Sequence, residues 1–311
     1  MILPPFMQVT PSSIASFVTS TLTCLELTVR DGCDYFERLV TYDPRILLQN
    51  ISVSGLIRQC DIQSILHFST MKRLAVIFAN EETGMGDVFN LLLHNLHHFR
   101  DLQSLKVAIP AKVLPITPHV PPPITLTMIS VIGEETAVAT FLSAFSGLKD
   151  VVIEAHGDWS PNGWGKCFYG LRMTSGQTLQ SIRLISPASL SLSLAHLLEV
   201  HTITAFEIMR TMAALDLTDS DIDRIARAWP KLRILYFASD FPTIFPSQLT
   251  TSVIPILAKL EDLTLLRIGL GSQSVSLPLD DQENVNTFSR EEKITRAMML
   301  KYFKPWQLNR V

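Results

Sequence analysis

The chain has few features that would commit it to nucleic acid or to membranes. Its 311 residues include 26 basic and 29 acidic side chains, which leaves a net charge of -3. No cluster of Lys and Arg exceeds the pair Lys72 and Arg73, so a basic footprint for nucleic acid, a polybasic membrane patch and a nuclear import signal are missing. No apolar run reaches the ~18 residues of a membrane span. We therefore expect neither nucleic acid nor a membrane among its partners.

Cysteine is also scarce. The four cysteines are Cys24, Cys33, Cys60 and Cys167. They show neither a CxxC motif nor the Cys/His spacing of a metal site, and a chain of this length can bury a core without disulfides. The apolar N-terminus has no basic residue before Arg30 and is interrupted by Pro4 and Pro5, which disfavours a signal peptide. Reduced thiols in the cytoplasm or nucleus are the simplest interpretation.

The sequence does contain a recurring pattern, apolar-x-x-apolar-x-apolar, which occurs eight times. The copies begin at Leu22, Met71, Leu102, Leu148, Leu179, Ile203, Leu232 and Leu263. Most are 24 to 31 residues apart, but the intervals of 49 residues after Leu22 and 46 residues after Leu102 are nearly double. Each long interval could contain a degenerate copy, near Ile46 or Ile124. Self-similarity at this period indicates a repeat architecture.

Each copy of the pattern predicts a short strand, which usually follows a helix-like segment. Its last two apolar positions lie two residues apart and therefore share one face of a strand. Before the strand at Leu102, the residues Phe89, Leu92, Leu93 and Leu96 have helical spacing. One such unit cannot bury its apolar face alone, whereas stacked units form a continuous core. We predict an α/β leucine-rich-repeat solenoid with irregular repeats, parallel strands on the concave face and helices on the convex face.

The expected domain organisation is one solenoid with a cap at each end. We place the solenoid at 21–288, an N-terminal cap or linker at 1–20 and a C-terminal capping helix at 289–311, with Ser289 as N-cap and Glu292 three residues later. The segments 115–123, 156–165 and 271–286 are rich in Pro, Gly or Ser and are expected to be loops.

The alternating acids Asp219, Asp221 and Asp223 resemble the start of a calcium loop, but the rest of the loop is missing. Such a loop needs Gly at its sixth position and a carboxylate at its twelfth, where this chain has Arg224 and Pro230. A helix start is the better interpretation, because Thr218 is a suitable N-cap and carboxylates in a first turn complement the helix dipole.

Other catalytic and ligand-binding motifs also fail. His94, His97 and His98 have metal-binding spacing, but no HExxH motif completes the set, and a solvated helix face is favoured. The segment 162–167 contains Gly165 and Lys166 but lacks the remaining residues of a phosphate-binding loop. No G-x-S-x-G nucleophile motif is present. We expect no cofactor, no bound metal and no enzymatic activity.

The predicted concave face supplies the candidate binding residues, since strand residues that alternate with the buried positions point away from the helices. These candidates are Glu26, Lys106, Glu154, Arg183, Glu207, Ile234, Tyr236 and Arg267. Mixed charge with apolar spots suits a protein or peptide partner, although for any single residue an ordinary solvated strand position is the simpler interpretation. Trp159 and Trp164 could contact a partner or fold back onto the neighbouring repeat, and we favour the second.

The segment around Trp229 carries a family resemblance. Ala228, Trp229, Pro230, Leu232 and Leu235 form an Ala-Trp-Pro helix end followed by Leu-x-x-Leu. Residues 210–270 resemble the leucine-rich-repeat region of fungal F-box proteins, particularly the large basidiomycete set. In that family the repeats hold substrates, while an F-box helix bundle docks onto the adaptor of a cullin-RING ubiquitin ligase.

The resemblance implies a substrate-recognition scaffold without catalytic activity of its own. The N-terminal segment offers Leu3 and Pro4 but no recognisable F-box, so we expect binding to the ligase adaptor only if an F-box exists upstream. The alternative is a leucine-rich-repeat binding module unrelated to ubiquitination.

Overall fold

A computed structural model describes most of the repeat region predicted from the sequence. The described residues are 22–29, 35–42, 47–78, 84–111, 113, 122–157, 159–185, 194–209, 217–237 and 249–268. The predicted segments 1–20 and 289–311 lie outside this part of the chain, so the cap at each end stays a prediction.

Within these segments, ten strands form one sheet in which every neighbouring pair is parallel and the spatial order follows the chain order. The strands are β1 (Cys24–Val29), β2 (Asn50–Gly55), β3 (Arg73–Phe78), β4 (Ser104–Ala108), β5 (Met128–Gly133), β6 (Asp150–Ala155), β7 (Ser181–Ile185), β8 (Ala205–Met209), β9 (Ile234–Phe237) and β10 (Leu265–Arg267). Parallel neighbours need a crossover connection, and here each crossover leads only to the next strand. The fold is an α/β leucine-rich-repeat solenoid, as the sequence predicts.

Helices occupy most of the crossovers. They are α1 (Tyr35–Tyr42), α2 (Gln59–Ile65), α3 (Met85–Asn95), α4 (Glu135–Ser143), α5 (Pro161–Ser175), α6 (Asp219–Ala228) and α7 (Val253–Leu257), and a single 3-10 turn at Leu96–His98 follows α3. Their apolar residues, such as Phe89 on α3 and Phe168 on α5, join the inward strand residues in one buried cluster. The core therefore runs continuously between the sheet and the helices.

The two long intervals in the sequence each contain a full repeat. Leu48, Ile51 and Val53 take the three apolar positions at β2, and the corresponding positions at β5 are Leu126, Ile129 and Val131. All six side chains are buried. The expectation of a further copy in each long interval is confirmed, and both copies keep the complete apolar pattern and pair in register with their neighbours, so neither is degenerate.

A ladder of backbone hydrogen bonds joins the repeats where each strand begins. The Gln49 carbonyl accepts from Lys72 N at 2.7 Å and Arg73 N at 2.9 Å, and the same double acceptance recurs at every junction up to Arg233 O, which accepts from Thr264 and Leu265. Threonine side chains add a second link, as where Thr202 Oγ1 donates to Leu179 O at 2.6 Å. These bonds satisfy the backbone at the turn into each strand, which would otherwise be costly to bury.

The helix start predicted at Thr218 is confirmed. Thr218 Oγ1 accepts from Asp221 N at 3.3 Å and Thr218 N donates to Asp221 Oδ2 at 3.0 Å, a reciprocal capping box at the start of α6. Asp219 contributes to the next repeat, since its Oδ1 accepts from Thr250 N at 2.7 Å. At the other end of α6, Trp229 is fully buried against Phe206, with ring centroids 5.2 Å apart.

The loop expected at 156–165 is only partly a loop, because α5 begins at Pro161. Ser160 is the N-cap of this helix, and its backbone N–H donates to Glu135 Oε2 at 2.8 Å. Trp159 and Trp164 are both buried, with ring centroids 4.4 Å apart, and Trp159 Nε1 donates to Gly133 O at 3.2 Å. Trp159 therefore packs against the preceding repeat, as expected, and Trp164 is buried against Trp159 and Phe168 of its own repeat.

Candidate interaction surface

The face of the sheet opposite the helices is formed by the strand residues that alternate with the buried ones, and we call it the open face. Strand register places one residue of each repeat in a central line across this face, which we call the middle row. Its members from β1 to β10 are Glu26, Ser52, Ala75, Lys106, Ser130, Val152, Arg183, Glu207, Tyr236 and Arg267. Neighbouring strands lie about 4.8 Å apart, so adjacent members can interact directly.

The structure places all eight candidate residues on the open face. Six belong to the middle row: Glu26, Lys106, Arg183, Glu207, Tyr236 and Arg267. Glu154 lies two residues further along β6, and Ile234 lies two residues before Tyr236 on β9. Five of the eight are close in space, because Arg183, Glu207, Tyr236, Ile234 and Arg267 occupy the four consecutive strands β7–β10.

Arg183 and Glu207 form a two-pronged ion pair across β7 and β8. Arg183 Nη2 lies 2.8 Å from Glu207 Oε1, and Arg183 Nε donates to Glu207 Oε2 at 3.1 Å. Such fork-to-fork pairs are stronger and more strictly oriented than single contacts. The Glu207 side chain is 14% exposed and the Arg183 side chain 42%, so the pair fixes both residues while leaving the guanidinium partly open to solvent.

Tyr236 and Arg267 form the next contact along the row. Arg267 Nη1 donates to Tyr236 Oη at 2.9 Å, and the Arg267 guanidinium carbon lies 5.4 Å from the centroid of the tyrosine ring. This distance is within the range of a cation–π interaction. Arg267 is exposed and has no carboxylate partner among the described residues. Its charge is held in place but not neutralised.

Apolar side chains border this polar group. Ile185 and Met209 pair in register at the carboxyl ends of β7 and β8, and Ile234 and Leu265 pair at the amino ends of β9 and β10. All four are half-buried. The last residues of the strand pattern on this face, Ala238 and Gly269, lie outside the described part of the chain.

Glu154 lies at the edge of the same apolar border. Its register neighbours are Ile132 on β5 and Ile185 on β7, and it is half-buried between them. No cation pairs with its carboxylate within the described segments. At the other end of β6, burial raises the pKa of Asp150 above its ordinary value, and the neighbouring Lys149 partly offsets that effect.

Glu26 and Lys106 are not part of this group. Lys106 lies on β4, three strands before Arg183, and Glu26 lies on β1. Both are exposed. At about 4.8 Å per strand, Lys106 is about 14 Å from the Arg183 position, which is too far for a direct contact.

Sequence reasoning missed the open-face residues contributed by β2 and β5. They include Ser52, Ser130, Ile132 and the exposed Met128. The signal was present in the printed sequence, because Leu48-x-x-Ile51-x-Val53 and Leu126-x-x-Ile129-x-Val131 keep the repeat spacing. Counting them as full copies would have placed these residues.

The histidines after β3 are only partly on a solvated face. His98 is exposed, but His94 is half-buried, which corrects the expectation from helical phase. The helix tightens into a 3-10 turn after Asn95, and His97 Nδ1 lies 2.9 Å from His94 O. The turn changes the helical phase only after Asn95, so it does not account for the partial burial of His94, and His98 is exposed as the phase predicts. In the parts of the chain that the structure describes, no group of His, Cys, Asp and Glu could hold a metal ion, and no helix is long and apolar enough to cross a bilayer.

Comparisons with known proteins add little to this picture. No protein-family model and no curated protein matches the chain. Among solved structures, the chain is similar to an internalin from Listeria monocytogenes str. 4b F2365, with 12% sequence identity and a TM-score of 0.38 over 85% of this chain and 83% of the internalin. So low a likeness carries no functional argument. A fungal origin and an F-box stay predictions.

Proposed function

We propose that the protein is a non-catalytic interaction module that binds a polypeptide segment on the open face of β6–β10. The observation that carries the proposal is the contiguous group of Arg183, Glu207, Tyr236 and Arg267 bordered by half-buried apolar side chains. Tyr, Arg and Met are enriched in protein interfaces, and Tyr and Arg are frequent hot spots.

The group is also ordered before any partner arrives. Arg183 is held by two bonds to Glu207, and Arg267 is held by the hydroxyl and ring of Tyr236. Side chains that are already fixed lose less conformational entropy on binding. The charges on this surface are mixed, with Glu154 and the Arg183–Glu207 pair beside Arg267, so it lacks the uniform positive charge that a phosphate backbone binds, which favours protein over nucleic acid.

Selection from a display library of random peptides of about twelve residues, enough to cross the β6–β10 strands, tests this proposal. The full chain is immobilised, and the affinities of selected peptides are then measured by fluorescence anisotropy. Tyr236→Ala should weaken binding by about thirtyfold, as expected for a hot spot. The matched control is Tyr169→Ala, which removes a tyrosine that is 49% exposed on α5 and should change affinity less than about twofold.

Either of two results would overturn the proposal. One is a selection that recovers no peptide above background. The other is a set of peptides whose binding depends on Tyr169 as much as on Tyr236, because that would place the binding surface on the helices.

A second candidate function is substrate recognition for a cullin-RING ubiquitin ligase. It is supported by the Ala228-Trp229-Pro230 helix end and the Leu232-x-x-Leu235 strand, which resemble the repeats of fungal F-box proteins. The test is co-precipitation of the ligase adaptor with the longest natural product of the gene. Stoichiometric recovery of the adaptor would support this function. Peptide binding without recovery of the adaptor would reject the ligase function and keep only the interaction module.

A further inference from the structure

The charges on the open face of β6–β10 do not all balance within the protein. Arg183 and Glu207 neutralise each other in their two-pronged pair. Asp150, at the amino end of β6, has Lys149 beside it. Glu154 and Arg267 have no ion-pair partner among the described residues. Glu154 at one side of the surface and Arg267 at the other therefore remain without an ion pair in the described part of the chain, and the charge of Asp150 is only partly offset by its sequence neighbour Lys149.

The charges of Glu154 and Arg267 each lie where a partner group of opposite sign would bind favourably. Glu154 is half-buried between its register neighbours Ile132 and Ile185, so its negative charge lies beside apolar surface that a partner could cover. Arg267 is oriented by Tyr236, and an oriented guanidinium can grip a carboxylate with two parallel bonds. Between them, Ile185 and Met209 offer apolar surface.

We infer that the polypeptide bound on the open face carries a basic side chain that meets Glu154 and an acidic side chain that meets Arg267, with apolar residues between them. This inference rests on the proposed binding of a polypeptide to that face. It adds the charge pattern of the partner.

Strand spacing sets the distance between the two charges. Glu154 lies on β6 and Arg267 on β10, and four intervals of about 4.8 Å separate these strands by about 19 Å. An extended peptide rises about 3.3 Å per residue. The basic and acidic residues of the partner should therefore lie about six residues apart, in either chain direction. Complementary charges at these two points would fix the register of the partner and exclude segments of the wrong sign.

The experiment compares the peptides that different charge variants select from the same random library. Wild-type protein should enrich peptides with a basic and an acidic residue about six positions apart. Glu154→Lys should replace the basic preference by an acidic one, and Arg267→Glu should replace the acidic preference by a basic one. Glu154→Gln keeps the shape of the side chain and should abolish the basic preference without creating a new one, which keeps the test valid if the lysine variant folds poorly.

Two charge reversals serve as controls. Arg73→Glu lies on the same face at β3, three strands and about 14 Å from β6, and Glu37→Lys lies on the exposed side of α1, which follows the still more distant β1. A separation of about 14 Å exceeds the Debye length of about 8 Å at physiological salt. Both controls should select the same peptides as the wild type.

Rescue gives the decisive measurement. A peptide selected by the wild type should bind Glu154→Lys at least about tenfold more weakly, and reversing the charge of its basic residue should restore most of that loss. If selected peptides bind through Tyr236 but show no charge pattern, or keep their pattern in Glu154→Lys and Arg267→Glu, the inference is wrong and the proposed function stands. A failure to select any peptide would instead remove the proposed function itself.

Discussion

Replacing Trp229 by alanine should destabilise the array strongly. The indole is fully buried and packs edge-to-face on Phe206 of β8, so it links the end of α6 to the sheet. A buried tryptophan removes about 200 Å² from water, which is worth about 5 kcal/mol at 25 cal/mol per Å². Its Nε1 is buried without a hydrogen-bond partner among the described residues. Removing this unsatisfied donor should offset about 1–2 kcal/mol of the lost stability. The net cost should be about 3–4 kcal/mol.

Urea denaturation followed by far-ultraviolet circular dichroism measures this cost. With an m value of about 3 kcal/mol per M for a protein of this size, the midpoint should fall by about 1 M. Trp229→Phe keeps a ring against Phe206 and removes the unpaired N–H, so it should cost less than half as much. Asp223→Ala removes only a surface ion pair with Arg227, worth about 0.5 kcal/mol. Equal midpoints for Trp229→Ala and Asp223→Ala would refute the packing argument.

Three further changes test other parts of the fold. Thr218→Ala removes the capping box of α6 and should lower the free energy of unfolding by about 1 kcal/mol in the same assay, while Thr218→Ser should cost little. Gly163→Ala would drive a Cβ into the Glu135 carboxylate and should cost about 1–3 kcal/mol, of which Glu135→Ala in the same chain should recover part. Burial raises the pKa of the Cys167 thiol to about 12, so alkylation kinetics should show the exposed Cys24 reacting first. The Cys167 thiol ionises near pH 8.5 in the unfolded chain but only at higher pH in the folded protein. The free energy of unfolding should therefore decline as pH rises above about 8.5, and less steeply in Cys167→Ala.

The fold was predictable because the spacing of apolar residues along the sequence predicts which residues form the core. Leu102, Leu105 and Val107 are all fully buried, and the same three positions recur in every repeat. Burial on one side of a strand requires apolar residues at every second position, and the stacking of repeats requires this pattern to recur once per repeat. The start of α6 was predictable for a similar reason, since an N-cap is a local interaction between residues close in sequence.

The candidate site was predictable only as a set of positions. The two-residue period places Arg183 and Glu207 on the open face, but it does not say that they touch. Their contact depends on the register of β7 against β8, which is set by the intervening crossover and its tertiary packing. The start of α5 was hidden for another reason. Pro161, Gly163 and Gly165 look like loop residues, yet Pro is well tolerated in a first helical turn, and Gly163 is needed because the Glu135 side chain of the preceding helix lies against it.

The ladder at the strand entries has a consequence for how such a protein can change over evolution. Each rung joins main-chain atoms, as where Lys149 O accepts from Gln180 N and Ser181 N, and so does not depend on which side chains flank it. A repeat could be duplicated or deleted as a unit, and the two repeats that become neighbours would form the same pair of backbone hydrogen bonds at the strand entry. The open face would then grow or shrink by one strand at a time, which shifts the distance between charges such as Glu154 and Arg267 in steps of about 4.8 Å. Adding or deleting repeats could therefore change the spacing of charges on the open face without altering the backbone hydrogen bonds between repeats.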